Sequence, residues 1–203
     1  MKRIIIGILV IVLSLSVAGC ENGRDSDSYI KETQTDGQGK EKAMNGIFRY
    51  ANWGDSIDSV VELEGSNYIV KDAKGVMYDN IDLMGYNTEV IYLCGENGLY
   101  SGIYNITEEH SNENNYIDDF NKINESLKQK YGPPTTEQVN WVRDILKDDP
   151  GLALGYGDVE YTTAWESEDL TIIHYLEGDN FEIEHAIMYG NPKADAKSDT
   201  SGL

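Results

Sequence analysis

Positive charge is what this chain has least of. Against 36 aspartates and glutamates stand only 16 lysines and arginines, a formal net charge of −20. That balance argues against nucleic acid as a partner, because binding it depends on Lys and Arg neutralising phosphates. An anionic lipid surface would repel the folded part for the same reason. Histidine is also scarce, with three copies. The short motifs of catalysis are missing: there is no Gly-x-Ser-x-Gly elbow, no His-Glu-x-x-His and no Asp-x-Asp-x-Asp-Gly calcium loop. Gly151, Gly155 and Gly157 lack the spacing and the following lysine of a phosphate-binding loop. The sequence therefore points to no catalytic residue and no cofactor.

What is present begins at the amino terminus. Lys2 and Arg3 precede an apolar run over residues 4–17, which gives way to Ala18, Gly19 and Cys20. That layout is a secretory signal. As a helix, residues 4–19 would reach about 24 Å, short of a hydrocarbon core about 30 Å thick, which disfavours an uncleaved span. The ending Val17-Ala18-Gly19-Cys20 resembles the lipobox of bacterial lipoproteins. The resemblance implies cleavage before Cys20 once its thiol carries a diacylglyceryl group, so that the finished chain starts there as a palmitate-type lipoprotein. Two fatty chains on one residue suffice for stable membrane attachment.

Residues 1–19 thus read as a lipoprotein signal peptide and residues 20–44 as a disordered tether. In the tether Tyr29 and Ile30 are nearly the only large apolar side chains, too few to offset the entropy of ordering. Residues 45–190 read as a single α+β domain and residues 191–203 as a flexible polar tail. Loss of Lys2 and Arg3 takes the net charge to −22, and residues 45–190 hold 28 acidic against 8 basic side chains. Cationic ligands, basic proteins and divalent ions stay open as partners; solubility alone would also account for the acidity. With Cys20 lipidated, Cys94 is left alone and no intramolecular disulfide can form. Its neighbours Val90, Ile91, Tyr92 and Leu93 mark it as a small buried hydrophobe.

Within the body, Ile57, Val60 and Val61 lie at helical spacing behind a capping Asp55 or Ser56, with Gly65 at the end. Strand-type runs follow over 68–71, 76–84, 88–94 and 99–106, and Asn97-Gly98 between the last two signals a hairpin. Both faces of this first sheet are partly apolar, which leaves its registers unassigned. Tyr116, Phe120, Ile123, Leu127 and Tyr131 make the stripe of a second helix, stopped by Gly132-Pro133-Pro134. A third helix is expected from Thr136, with Val139, Val142, Ile145 and Leu146 inward, ending before Pro150; residues 151–157 are expected as a glycine-punctuated loop.

The last third alternates with period two over 159–166, 170–176 and 181–189. Two-residue turns at Ser167-Glu168 and Gly178-Asp179 would set Trp165 opposite Leu170, Tyr161 opposite His174 and Ile172 opposite His185. One face would be apolar and the other would carry Glu160, Glu166, Glu177, Glu182 and Glu184. His174 and His185 would then be diagonal neighbours near Tyr161, a candidate metal or proton-transfer site. Two histidines hydrogen-bonded in the core are the simpler expectation, because third and fourth ligands are missing. His110 stands in an acidic loop, where solvent exposure is the default, and Asp148-Asp149 or Glu168-Asp169 could hold a divalent ion loosely, although paired carboxylates are not diagnostic in so acidic a chain.

Phe48-Arg49, Trp53-Gly54-Asp55-Ser56 and Val60, then Lys130-Tyr131-Gly132-Pro133 with Trp141, then Trp165 and Tyr189 together resemble a set of Gram-positive bacterial lipoproteins of unassigned role. The resemblance spans residues 47–189 and implies a cell-envelope lipoprotein on the extracytoplasmic face of the cell membrane. A helix-then-β-meander order used twice, in mostly antiparallel sheet with about three helices, is also similar to the small α+β repeats of outer-membrane assembly lipoproteins and of the β-lactamase-inhibitor protein. That likeness bears on fold. The function expected is binding of a protein or cell-wall partner without chemistry. A pocket joining His174 and His185 to carboxylates would indicate a hydrolase or metal enzyme instead. A continuous exposed aromatic patch would indicate a binder, and a rigid acidic loop at 107–115 an inhibitor of a secreted enzyme.

Overall fold

The computed structural model describes residues 44–194. The signal, Cys20, all but the last residue of the tether and most of the tail lie outside the described residues. The expected first helix forms as α1 (Ile57–Glu64). Ser56 caps it by accepting from the Ser59 backbone N–H, and Gly65 ends it at φ +104°. An antiparallel meander follows: β1 (Val70–Lys71), β2 (Gly75–Leu83), β3 (Tyr86–Gly95) and β4 (Gly98–Ile106). The hairpin expected at Asn97-Gly98 forms, with Glu96 and Asn97 as its loop and Gly95 paired to Gly98. The second helix, α2 (Asn114–Tyr131), turns Phe120, Ile123 and Leu127 inward and stops at Gly132.

Beyond Pro134 the structure departs from the sequence reading. Residues of the expected third helix form β5 (Thr136–Trp141) and a single 3-10 turn, Asp144–Leu146. Val139, Val142 and Ile145, taken as its inward stripe, are 51%, 59% and 83% exposed. The helix starts where it was expected to stop. α3 (Pro150–Gly155) has Pro150 in its first turn, where a missing N–H costs nothing, and Asp149 caps it by accepting from the Leu152 N–H. The supposed glycine loop is therefore this helix. Its glycines permit close packing rather than flexibility, since a Cβ on Gly155 would lie 2.7 Å from the Phe181 ring.

Three strands complete the chain: β6 (Val159–Glu166), β7 (Thr171–Asp179) and β8 (Glu182–Gly190). Neither turn is the one expected. The first holds four residues, with Ser167 Oγ accepting from the Leu170 N–H. The second is Asn180-Phe181, both at positive φ, as a tight twisted hairpin requires. Trp165 therefore faces Ile172, Tyr161 faces Leu176 and Ile172 faces Tyr189. These slips, of two and four residues, are even. An even slip leaves every side chain on its face, so the division into an apolar and an acidic side survives.

β4 and β8 pair antiparallel and join both meanders into one eight-stranded sheet, ordered β1-β2-β3-β4-β8-β7-β6-β5. Val76, Tyr92, Gly102, Tyr189, Ile172 and Trp165 follow one another across it on the inner face. All three helices pack on that side. Phe48 lies on Gly102, where a Cβ would come 2.1 Å from its ring, and meets Tyr92, Tyr104 and Tyr189 at centroid distances of 5.0–5.2 Å. Most of the tyrosine excess around it is thus packing. Arg49 is buried beside Glu64 at 3.1 Å, and the Tyr92 hydroxyl donates to the same carboxylate.

Candidate functional site

The two histidines singled out in the sequence do come together. The pairings Leu176 with His185 and His174 with Ile187 make them diagonal neighbours on the inner face. Their Nε2 atoms are 3.0 Å apart, and the Phe120 ring of α2 stacks on His174 at 4.1 Å. Both are sealed from solvent, at 0% and 2% exposure. Burial drives the His174 pKa well below its ordinary value, with His185 adding to the effect. Burial likewise takes His185 down to about 4, opposed by Asp119 and reinforced by His110. Both rings are neutral at pH 7, so one Nε2 donates and the other accepts. Among the described residues no group of three or more His, Cys, Asp or Glu is arranged to hold a metal.

Beside this pair lies a polar cluster that sequence reasoning missed. Asp119 of α2, 6% exposed, accepts from the Tyr86 hydroxyl at 3.0 Å and from Lys122 at 3.3 Å, and meets His110 Nε2 at 2.6 Å. Burial raises the Asp119 pKa, but these hydrogen bonds outweigh it and leave the carboxyl below its usual range. Burial and the neighbouring Asp119 and Glu108 push Tyr86 up to about 12. The cluster pins the acidic loop at 107–115. The His110 N–H donates to the Tyr116 hydroxyl, Glu108 accepts from the Asn87 N–H, and the Thr107 N–H donates to the Asn87 carbonyl. These bonds fix the loop, while Glu109, Ser111 and Asn112 remain exposed.

An open cleft of about 330 Å³ lies at the other half, among Asp58, Lys71, Asp72, Cys94 and Glu96. Lys71 is already bonded to Asp58 at 2.6 Å. The Cys94 thiol is raised by burial and by Asp55, which disfavours the nucleophilic thiolate. Neither histidine of the pair borders this cleft.

The outer face of the sheet also carries a row of apolar side chains, half-buried except for the buried Ala164. Met77, Ile91, Ile103, Met188, Ile173 and Ala164 stand directly opposite one another along one rung from β2 to β6. No described helix covers it, since all three lie on the other side. The next rung holds Glu89, Asn105, Ala186, Tyr175 and Thr162. Beyond it Glu184 faces Glu177 directly, and Glu160 joins them from β6. Burial raises the Glu177 pKa, with Glu184 and Glu160 adding repulsion. The eight cations of residues 45–190 all lie elsewhere. Arg49 and Lys71 serve α1, Lys122, Lys128 and Lys130 ride α2, Arg143 and Lys147 flank the 3-10 turn, and Lys74 sits in the β1–β2 turn.

This patch is aliphatic, with one tyrosine, rather than the aromatic one expected of a binder. Its signal was present in the sequence as the apolar residues on both faces of the first sheet. Comparison with family models, with curated proteins and with solved structures gave no significant match for this chain.

Proposed function

We propose that this protein is a lipoprotein tethered through Cys20 to the extracytoplasmic face of the cell membrane, where its domain acts as a binding module for another envelope component. The observation that carries the binding role is the outer sheet face, a half-buried apolar rung six strands wide on which no described helix packs. Monomeric soluble proteins rarely leave such a continuous patch without a partner for it. The sealed histidines support the same reading, because a hydrolase or metal centre needs substrate access. The tether rests on the Val17-Ala18-Gly19-Cys20 ending. We read the order of elements as two halves, α1 with β1–β4 and α2 with β5, α3 and β6–β8, fused through β4 and β8 so that their outer faces merge.

The test has two parts. Labelling with a palmitate analogue should mark the wild-type chain and miss Cys20→Ala, which should leave the membrane fraction. A photo-crosslinking residue at Ile103 or Ile173 should trap a partner on intact cells, whereas one at Asn121 on α2 should not. An unmodified Cys20 with residues 1–19 still attached in the soluble fraction would dispose of the tether. Crosslinks equally strong from α2, or absent from the sheet, would dispose of the binding face.

A further inference from the structure

Resting on that binding role, we infer that the outer sheet face docks a cationic amphipathic polypeptide segment, its apolar side chains along the Ile91–Ile103–Met188–Ile173 rung and its lysines or arginines over Glu89, Glu177 and Glu184. The dimensions suit a short helix. From Met77 to Ala164 the rung crosses six strands, about 24 Å at 4.8 Å per spacing, the length of about 16 helical residues. From Ile173 to Glu177 is four residues, about 13 Å along the strand. A helix lying on the rung, with a radius of about 5–6 Å including side chains, brings flanking lysines over the glutamates. Amphipathic helices dock on apolar surfaces in this manner, with anchors every third or fourth residue.

The charges select the partner. Like charges directly opposite in a sheet are destabilising, yet Glu184 faces Glu177 and, among the described residues, no salt bridge relieves either of them. Burial and the neighbouring Glu184 and Glu160 raise the Glu177 pKa, an effect that an incoming ammonium or guanidinium opposes. A second copy of this chain is the wrong occupant, because its corresponding face carries acids and no base. Nucleic acid and anionic lipid are disfavoured on the same ground. A basic segment alone would lack the contact area, and an apolar one alone would leave the carboxylates uncompensated.

The experiment uses the finished chain, residues 20–203, with Cys20→Ala, and fluorescence anisotropy with three synthetic 16-residue peptides. One places leucines on one helical face and lysines on the other; the second is its scramble; the third replaces lysine by glutamate. The expected result is binding of the first that weakens at least tenfold on raising salt from 50 to about 300 mM, as screening shortens the range of surface charge. Glu160→Gln/Glu177→Gln/Glu184→Gln and Ile103→Thr/Ile173→Thr should each weaken it at least tenfold. Glu184 is exposed and the other four positions are half-buried on the outer face, and unchanged melting curves show that the variants fold. Equal binding of the scramble, equal binding of the glutamate peptide, or indifference to both sets of variants overturns the inference. So does sedimentation as a dimer that Ile103→Thr/Ile173→Thr dissociates, which would make a second copy the occupant. Failure here alongside open-face crosslinks on cells removes the cationic partner and keeps the binding role; failure of both removes both.

Discussion

Acid should unfold this protein earlier than its carboxylates alone would require, because of His174 and His185. In the folded state His185 titrates at about 4 against an ordinary 6.5, and His174 is depressed as well. The unfolded chain therefore binds protons that the folded chain refuses as pH falls below 6.5. Stability rises with pH wherever the unfolded state holds more protons, so it is fully present above about 6.5 and drains away towards 4. One proton costs about 1.4 kcal/mol per pH unit across that window. His185 alone removes about 2 kcal/mol by pH 5, and His174 adds a loss of the same sign. Asp119, the acidic neighbour of His185, does not reverse this. Asp119 is depressed below 3.8, so its own contribution is lost only at still lower pH. Urea unfolding followed by tryptophan fluorescence from pH 4.5 to 8 gives the slope. In His174→Leu/His185→Leu, which removes both protons and leaves no single orphaned ring, the slope between 6.5 and 4.5 should flatten by at least 1 kcal/mol per pH unit. A double variant as acid-sensitive as the wild type would refute the reasoning.

Three further outcomes follow from the packing. Gly102→Ala drives a methyl into the Phe48 ring and should cost about 1–3 kcal/mol, read as a lowered urea midpoint at unchanged slope. Glu64→Ala removes the carboxylate beside the buried Arg49 guanidinium and should cost about 3–5 kcal/mol, with the loss recovered in part by Glu64→Ala/Arg49→Met. Cys94, 7% exposed and with a raised thiol pKa, should resist a thiol reagent at pH 8 until denaturant unfolds the sheet; immediate reaction would show that the β3 end opens in the native state.

Where side-chain period was unambiguous, the sequence sufficed. Ser56 and Gly65 bracket α1, and Phe120, Ile123 and Leu127 mark the inward stripe of α2. The face of every residue in β6, β7 and β8 was legible even though both turns were misplaced, because period two distinguishes faces and not registers. The failure at Thr136–Trp141 has a specific cause. Val139, Val142 and Ile145 imitate a helical stripe, but β6 offered an unpaired strand edge, and ladder hydrogen bonds outweigh a weak local preference. Proline and glycine misled for a related reason. Pro150 was read as a terminator when it serves as a first-turn residue, and Gly151 and Gly155 as loop residues when they admit Asn114 and Phe181.

Composition and pattern, read without coordinates, determined the acidity, the α+β class, the scarcity of cysteine, the alternation of faces and the shared face of His174 and His185. All of these depend on residues close in sequence or on sums over the chain. Only the tertiary structure decided that the two meanders share one sheet through β4 and β8, that the histidines are sealed beneath Phe120, and that Asp119 gathers Tyr86, His110 and Lys122. Those contacts join residues far apart in the chain, and their free energy comes from burial and pairing that no local window records. The outer face belongs to both levels: its apolar residues are written in each strand, but they become one surface only when β4 and β8 pair.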